Sequence, residues 1–337
     1  MLSASASDST SEKDTINMEH KTILTLGALL LFLTSVLTIG CIASEKEYQF
    51  VSTWGKKGSG PGEFNDPTGI AVTDHEVFIS DARNSRIQVF DLEGNFKRQF
   101  GAREKEPGQL GRPMNLTIAR DELYVADYWN DHIEVFALDG THKKTLGRSG
   151  SGPGEFDAPG GVAVAPNGDL FVADFYNQRI QKLHPDGSPI RQWGETRKTG
   201  IWAGKFNYPT DVALGPDGSL YVADGYNDRV QVFSPDGEFS HKWGGPFAMN
   251  IYGPFKGWFA TVTGVTVDHA GNVFVADFYN NRIQKFSPDG TFLTAFGEEG
   301  ASPGQFNHPI AVAVTDDGIV FVADYGNNRI QKWQLKN

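Results

Sequence analysis

The 337-residue sequence predicts an all-β protein, a six-bladed β-propeller of four-stranded antiparallel blades, on three observations. A pattern of an aromatic residue, two small or β-branched residues and Asp occurs six times: Phe78-Ile-Ser-Asp81, Tyr124-Val-Ala-Asp127, Phe171-Val-Ala-Asp174, Tyr221-Val-Ala-Asp224, Phe274-Val-Ala-Asp277 and Phe321-Val-Ala-Asp324. The Asp-to-Asp steps are 46, 47, 50, 53 and 47 residues, the period of a propeller blade rather than of a helical solenoid. Each unit also holds several short apolar runs separated by Gly-containing turns, which suits short strands in hairpins.

The third unit shows the four strands in order. Gly161-Val-Ala-Val164 is an apolar run of small residues, Leu170-Phe-Val-Ala173 follows the turn Pro166-Asn-Gly-Asp169, then come Arg179-Ile-Gln-Lys-Leu183 and Ile190-Arg-Gln-Trp-Gly194. The first strand is Gly, Ala and Val because innermost strands crowd around the propeller axis. Outer strands carry Trp54, Trp193, Trp243, Phe100 and Phe296, large enough to fill the wider space between blades. Asn167-Gly168, Asp186-Gly187, Asp217-Gly218, Asp236-Gly237, Asp289-Gly290 and Asp317-Gly318 suit tight hairpins that need positive φ.

The sixth unit stops after its third strand, Arg329-Ile-Gln-Lys-Trp333, while Phe50-Val-Ser-Thr-Trp-Gly55 has the fourth-strand pattern. The N-terminal strand is therefore expected to complete the last blade and leave no open edge. The propeller is placed at residues 48 to 337.

The Gly-x-Gly-Pro-Gly-Glu-Phe lead (Gly58 to Phe64, Gly150 to Phe156), the Val-Ala-Asp strand end and the Asn-x-Arg-Ile-Gln run (Asn177 to Gln181, Asn280 to Gln284, Asn327 to Gln331) resemble the NHL-repeat family over residues 48 to 333. That resemblance implies the propeller fold; the functions of the family are diverse.

Residues 1 to 44 are read as a disordered leader plus a signal peptide or membrane anchor. Residues 22 to 44 hold no charged residue and follow Lys21, as in a secretory signal or a membrane span. The stretch Leu37-Thr-Ile-Gly-Cys41 resembles the lipobox of prokaryotic lipoproteins, which implies lipidation at Cys41; Thr38 stands where that family usually has Leu. Met18, followed by Glu-His-Lys, makes a more ordinary signal-peptide start than Met1. Either reading exports the repeats and anchors them at the outer face of the cytoplasmic membrane. Cys41 is the only cysteine, so no internal disulfide exists. The net charge of −11 disfavours nucleic acid as a partner.

Each repeat Asp is followed three positions on by Asn and five on by Arg, except for His132. Six copies favour a structural, fork-shaped ion pair that ties the turn or joins neighbouring blades. His132 in the second unit is expected to keep the pairing with Asp127, with a titratable site there as the alternative.

The turn after each Asp and the connection between blades are expected on one face. That face collects Arg83, Trp129, Tyr176, Tyr226 and Tyr279 as candidate ligand-binding residues, with the first aromatic of each pair packing between blades. Two longer connections add Trp202 (residues 195 to 205) and Phe255 and Trp258 (residues 245 to 259), the second either a lid over the disc or a contact patch. Flat aromatic surface with a polar edge suits a protein, peptide or glycan of the cell envelope.

Propellers of this type also resemble the amidating lyase that cleaves peptidyl-hydroxyglycine, whose zinc is held by histidines, including a Pro-His pair at the inner strands. The matching pairs here are Pro67-Thr68, Pro113-Met114, Pro159-Gly160, Pro209-Thr210, Val262-Thr263 and Pro309-Ile310. None has the His. Only His132 fits a ligand position of that family, and His308 precedes its Pro. No catalytic residue, metal ligand or cofactor is assigned; the six Asp-bearing turns offer oxygen of the kind calcium takes, without a motif that requires it. The Asn115-Leu-Thr117 sequon falls on an inner strand. The sequence thus points to an anchored binding scaffold, with a metal-dependent lyase or hydrolase around Asp211 and His132 as the alternative.

Overall fold

The computed structural model describes residues 45–101 and 108–336; the leader, the uncharged stretch and Cys41 lie outside the described residues. Six four-stranded antiparallel sheets form the propeller. The first blade runs Pro67–Val72, Val77–Asp81, Arg86–Phe90 and Phe96–Phe100 from inside to outside. The inner strands of the other five are Pro113–Ala119, Pro159–Val164, Pro209–Leu214, Val262–Val267 and Pro309–Val314. Tyr48–Trp54 pairs antiparallel with Arg329–Leu335, from Tyr48 opposite Leu335 to Trp54 opposite Ile330, so the N-terminal strand is the fourth of the sixth blade. Closure pairs a strand edge that would otherwise be open.

The core is six clusters, each between neighbouring blades. Trp243 of the fourth blade, for example, packs with Tyr221 and Val230 of its own sheet and Val262 and Phe286 of the fifth. The Phe that ends each lead (Phe64, Phe156, Phe206, Phe259, Phe306) is wholly buried, as is Leu110 in the second unit; one such burial is worth about 2–3 kcal/mol. Gly147 makes room for it: a Cβ there would sit 2.3 Å from the Phe156 ring.

The hairpin turns differ from the expected form. In the Asn-Gly and Asp-Gly turns only the Gly has positive φ (Gly218, +84°), and Gly218 N–H donates to Gly215 O while Gly215 N–H donates to Ser219 O. This is a three-residue hairpin with one left-handed residue. The Asp is chosen for its side chain: Asp217 Oδ1 accepts from Ser219 N–H at 3.0 Å, fastening the turn.

The repeat Asp is a hub. Asp224, wholly buried, accepts from Asn207 N–H (2.7 Å) at Oδ1 and from Asn227 Nδ2 (2.9 Å), Arg229 Nε (2.7 Å) and Gln231 Nε2 (3.0 Å) at Oδ2. The arginine does not make the expected fork onto the carboxylate. Its Nε alone meets Asp224, and Nη2 donates to the carbonyls of Trp202 and Lys205 at 3.1 and 2.8 Å. A carboxylate with Oδ2 already shared by two amides leaves room for one guanidinium nitrogen, and the others fasten the connection between blades.

A second ring joins neighbouring blades. The residue after each repeat Asn lies in the left-handed region and reaches the next blade: Ser85 Oγ donates to Gly111 O (2.7 Å), while Asp131, Gln178, Asp228, Asn281 and Asn328 accept from the N–H of Ala158, Tyr208, Thr261, His308 and Asp66. The last crosses the closure.

Arg229→Leu strips the cation from a carboxylate that water cannot reach, and is expected to cost about 3–5 kcal/mol in urea denaturation. Arg282→Leu should cost less, since the Arg282 side chain is 14% exposed against 0% for Arg229. Equal losses would show that the carbonyl contacts, which both arginines make, outweigh the buried charge.

Candidate functional site

A one-residue bulge follows the first residue of the inner strands; in the first blade Pro67 faces Asp81 and Gly69 faces Ser80, leaving Thr68 unpaired. The residue after that first position (Thr68, Met114, Gly160, Thr210, Thr263, Ile310) lines a cavity of about 180 Å³ at one mouth of the axial channel, with Asn115, Arg112, Tyr128 and Phe175. This column, which holds none of the histidines of an amidating lyase, forms the wall of the mouth.

Below the mouth the channel is crossed. Asn115 Nδ2 donates to Asp211 Oδ2 at 2.5 Å, and Val265 N–H to the same oxygen at 3.0 Å. Gly161 admits the carboxylate, since a Cβ there would lie 2.1 Å from Asp211 Oδ1. Asp211 so touches residues of the second, third and fifth blades. A second cavity of about 210 Å³, shared by Asn115 and Asp211, lies beyond.

The donors do not fit the zinc of an amidating lyase. His132 is on a third strand, with Nε2 3.1 Å from Glu134 Oε1 and 3.7 Å from Asp127 Oδ2, whereas Asp211 is on an inner strand among Asn115, Gly161 and Val265; the structure does not bring His132 and Asp211 together. The His132 Nε2 contact is too poorly aligned for a hydrogen bond. Burial pushes the Glu134 carboxyl up, but the His132 ring beside it and hydrogen bonds with Thr145 and His142 outweigh it and hold it below its usual value. His308 Nδ1 lies 2.6 Å from Asn307 Oδ1 and its ring lies against Phe278. Among the described residues no three of His, Cys, Asp and Glu are grouped to hold an ion, and the repeat Asp residues that offered oxygen for calcium are turned to donors of their own blades.

Around the mouth runs a belt of side chains. Tyr128, Phe175, Tyr208 and Tyr226 follow one another across the second to fourth blades, with ring centroids 6.0, 4.8 and 5.0 Å apart, and Tyr176 packs on Tyr128, Phe175 and Tyr208. Beyond it Phe278 contacts His308 and Tyr325, and Tyr325 Oη donates to Asp66 Oδ2 at 3.2 Å. Arg83 pairs with the same carboxylate, and Arg112 lies over Tyr128 and Trp129. The first aromatics bridge to the next blade as expected, and Tyr128 and Phe175 also line the mouth. Trp129, Tyr176, Tyr226 and Tyr279 are about half exposed.

The two longer connections are placed differently. Trp202 is exposed while its carbonyl accepts from Arg229. Phe255 and Trp258 pack edge to face, 4.9 Å apart, and their carbonyls accept from Arg282. No residue of 245–259 lines the mouth; instead Asn250 and Tyr252 wall a separate pocket with Tyr226 and Tyr279. The connection is a side wall rather than a cover.

Sequence reasoning missed Arg112 and Tyr208, which stand just before the inner-strand prolines. The signal was there: the same column reads Asp66, Arg112, Ala158, Tyr208, Thr261 and His308, and all but Arg112 have positive φ, lifting side chains towards the rim.

The NHL repeat model matches residues 64–90, 156–183, 206–233, 259–286 and 306–333. The chain belongs to the NHL-repeat family. The matched segments are the blades in which Arg and Gln share the hub carboxylate; the second blade has His132 and Glu134 there. This NHL propeller is 51% identical over 57 residues to peptidyl-glycine alpha-amidating monooxygenase B of Xenopus laevis, covering 15% of this chain and 6% of that protein. It is 47% identical over 47 residues to protein lin-41 of Caenorhabditis elegans, covering 14% and 4%. The chain thus spans a small fraction of these relatives. Among solved structures it superposes on a virginiamycin B lyase of Staphylococcus aureus with TM-score 0.56 and 19% identity, covering 87% of this chain and 100% of the other. A gluconolactonase of Xanthomonas campestris gives TM-score 0.61 and 15% identity, covering 82% and 88%. Likeness at that identity is likeness of fold, and the NHL propeller suits a scaffold and a propeller enzyme alike.

Burial pushes the Asp211 carboxyl up to about 7, against the N–H groups of Val265 and Val212 and the Asn115 amide. With the folded value above the unfolded one, the native chain keeps a proton that the unfolded chain loses between about pH 4 and 7, so stability falls as pH rises through that window. Asp211→Asn should gain about 2–4 kcal/mol over wild type at pH 8, at ~1.4 kcal/mol per pH unit, and nothing at pH 4. Denaturation at both pH values checks this; a gain independent of pH would remove the titration from the account.

Proposed function

We propose that this NHL propeller is exported, anchored at the outer face of a membrane through its N-terminus, and captures a protein or peptide partner on its aromatic face. The observation that supports capture is the belt itself. Trp129, Tyr176, Tyr226, Tyr252 and Tyr279 are exposed side chains on the turns and connections of one end, whereas the other end carries Asp-Gly hairpins. Large aromatic rings held by a rigid ring of strands lose little freedom on binding and supply the anchors on which protein interfaces depend. Export and anchoring are supported by the uncharged residues 22 to 44 and the Leu37-Thr-Ile-Gly-Cys41 sequence.

Replacing Trp129, Tyr176, Tyr226 and Tyr279 together by Ala should abolish cross-linking to envelope proteins while the circular dichroism spectrum and melting temperature stay those of wild type; unchanged cross-linking by a folded variant overturns the assigned face. Radiolabelled palmitate should be incorporated into the wild type and not into Cys41→Ser, and a membrane-bound wild type that takes up no label would mean that the anchor is a helix and not a lipid.

A further inference from the structure

One pocket on the aromatic face adds a carboxylate to its rings. It has a volume of about 450 Å³ and is walled by Tyr226, Tyr252, Tyr279, Asn207, Asn250, Ala260 and Thr261, with Asp228 among them. Tyr226, Tyr252 and Tyr279 are all exposed, at 51, 73 and 61%, whereas Asp228 is 6% exposed. The carboxylate is fixed in place. Its Oδ1 accepts from Thr261 N–H at 2.7 Å, and Asn250, with its amide turned as its surroundings require, donates to Asp228 Oδ2 and Tyr226 O at 3.0 Å each.

Asp228 lacks a cation. Among the described residues no Lys, Arg or His nitrogen lies within 4 Å of it in an ion pair, in contrast to Asp224 four residues earlier, which holds Arg229. Burial pushes the Asp228 carboxyl up, opposed by the Thr261 N–H. A buried carboxylate without a counter-ion is costly unless a charge pairs with it. Three phenol rings line the pocket with it, the faces of such π-systems attract an organic cation, and the chain carries a net charge of −11.

We infer that the pocket of Tyr226, Tyr252, Tyr279 and Asp228 is the subsite for a lysine or arginine side chain of the captured peptide. The alkyl stem lies along the rings while the ammonium or guanidinium group reaches the carboxylate. The inference rests on the reading of the aromatic face as a peptide-capturing surface.

One substitution separates charge from architecture. Asp228 is also the blade-to-blade acceptor of the fourth blade, and in the fifth and sixth blades that role is filled by Asn281 and Asn328. Asp228→Asn therefore keeps the acceptor for Thr261 N–H and removes the charge, at the cost of the one hydrogen bond that Oδ2 takes from the Asn250 amide. The probes are N-acetyl-lysine amide and N-acetyl-arginine amide, with N-acetyl-norleucine amide as the neutral control and methyl α-glucoside as the sugar, titrated by calorimetry into the detergent-solubilised full-length protein.

Wild type should bind both cationic probes at least about ten-fold more tightly than norleucine amide, and Asp228→Asn should lose about ten-fold or more on the cations alone. Tyr252→Ala should weaken them several-fold, with the melting temperature unchanged in both variants. Equal binding of norleucine amide, undiminished cation binding by Asp228→Asn, binding of the glucoside instead, or no binding of any probe overturns the inference. If the four-aromatic variant loses its envelope cross-links while Asp228→Asn still binds the cations, the subsite fails and the capturing face stands. If Asp228→Asn loses the cations while the four-aromatic variant keeps its cross-links, the face fails and the cation pocket stands.

Discussion

A buried carboxylate at the end of the second strand organises every blade. Asp81, Asp127, Asp174, Asp224, Asp277 and Asp324 have no exposed surface, so each must be satisfied by donors supplied at fixed positions. In five blades the donors come from the loop before the blade, the turn after the Asp and the third strand, and the arginine that neutralises the charge spends its Nη2 on two loop carbonyls. One charge thus ties three separate stretches of chain, which is why the aromatic turns and the connections between blades stand at set heights on one face. The second blade shows the dependence by its exception. A His in place of the Arg leaves Asp127 to two backbone N–H groups, of Gly111 and Arg112, and to Asn130.

The face that these hubs position divides into regions of different chemistry. At the mouth, small and apolar side chains of the bulged column surround a cavity whose floor is the Asn115–Asp211 pair. At the rim, Asp66 gathers Arg83 and Tyr325 beside the cation-bearing Arg112. Between the fourth and fifth blades the long connection lends Tyr252 and Asn250 to a pocket of tyrosines over a carboxylate. The repeats are alike where they hold the fold and unlike where they face outwards, which makes an asymmetric surface on a nearly symmetric frame.

Much of this was legible in the residues. Period and alternation gave the blades, and the unpaired third strand at one end with the unassigned strand at the other gave the closure. The outward rings of Trp129, Tyr176, Tyr226 and Tyr279 followed from their place after the Asp. Two of the residues that needed the structure, Tyr208 and Asp228, owe their direction to a left-handed backbone. Tyr208 and Asp228 read as ordinary loop positions until φ near +50° turns one towards the rim and the other across to the next blade. The arginine fork misled for a related reason, since the sequence shows the partner but not the carbonyls that compete for its nitrogens.

By itself the sequence determined the number of blades, their strand order, the ring closure and the residue types at each hub, because these depend on period, turn chemistry and short-range spacing that recurs six times. Only the tertiary structure decided that Asn115 and Asp211, 96 residues apart, meet across the channel, that the 245–259 connection makes a wall rather than a cover, and that Asp228 stands without a cation among three tyrosines. Those facts arise from contacts between different blades, where each position occurs once and no repeat announces it.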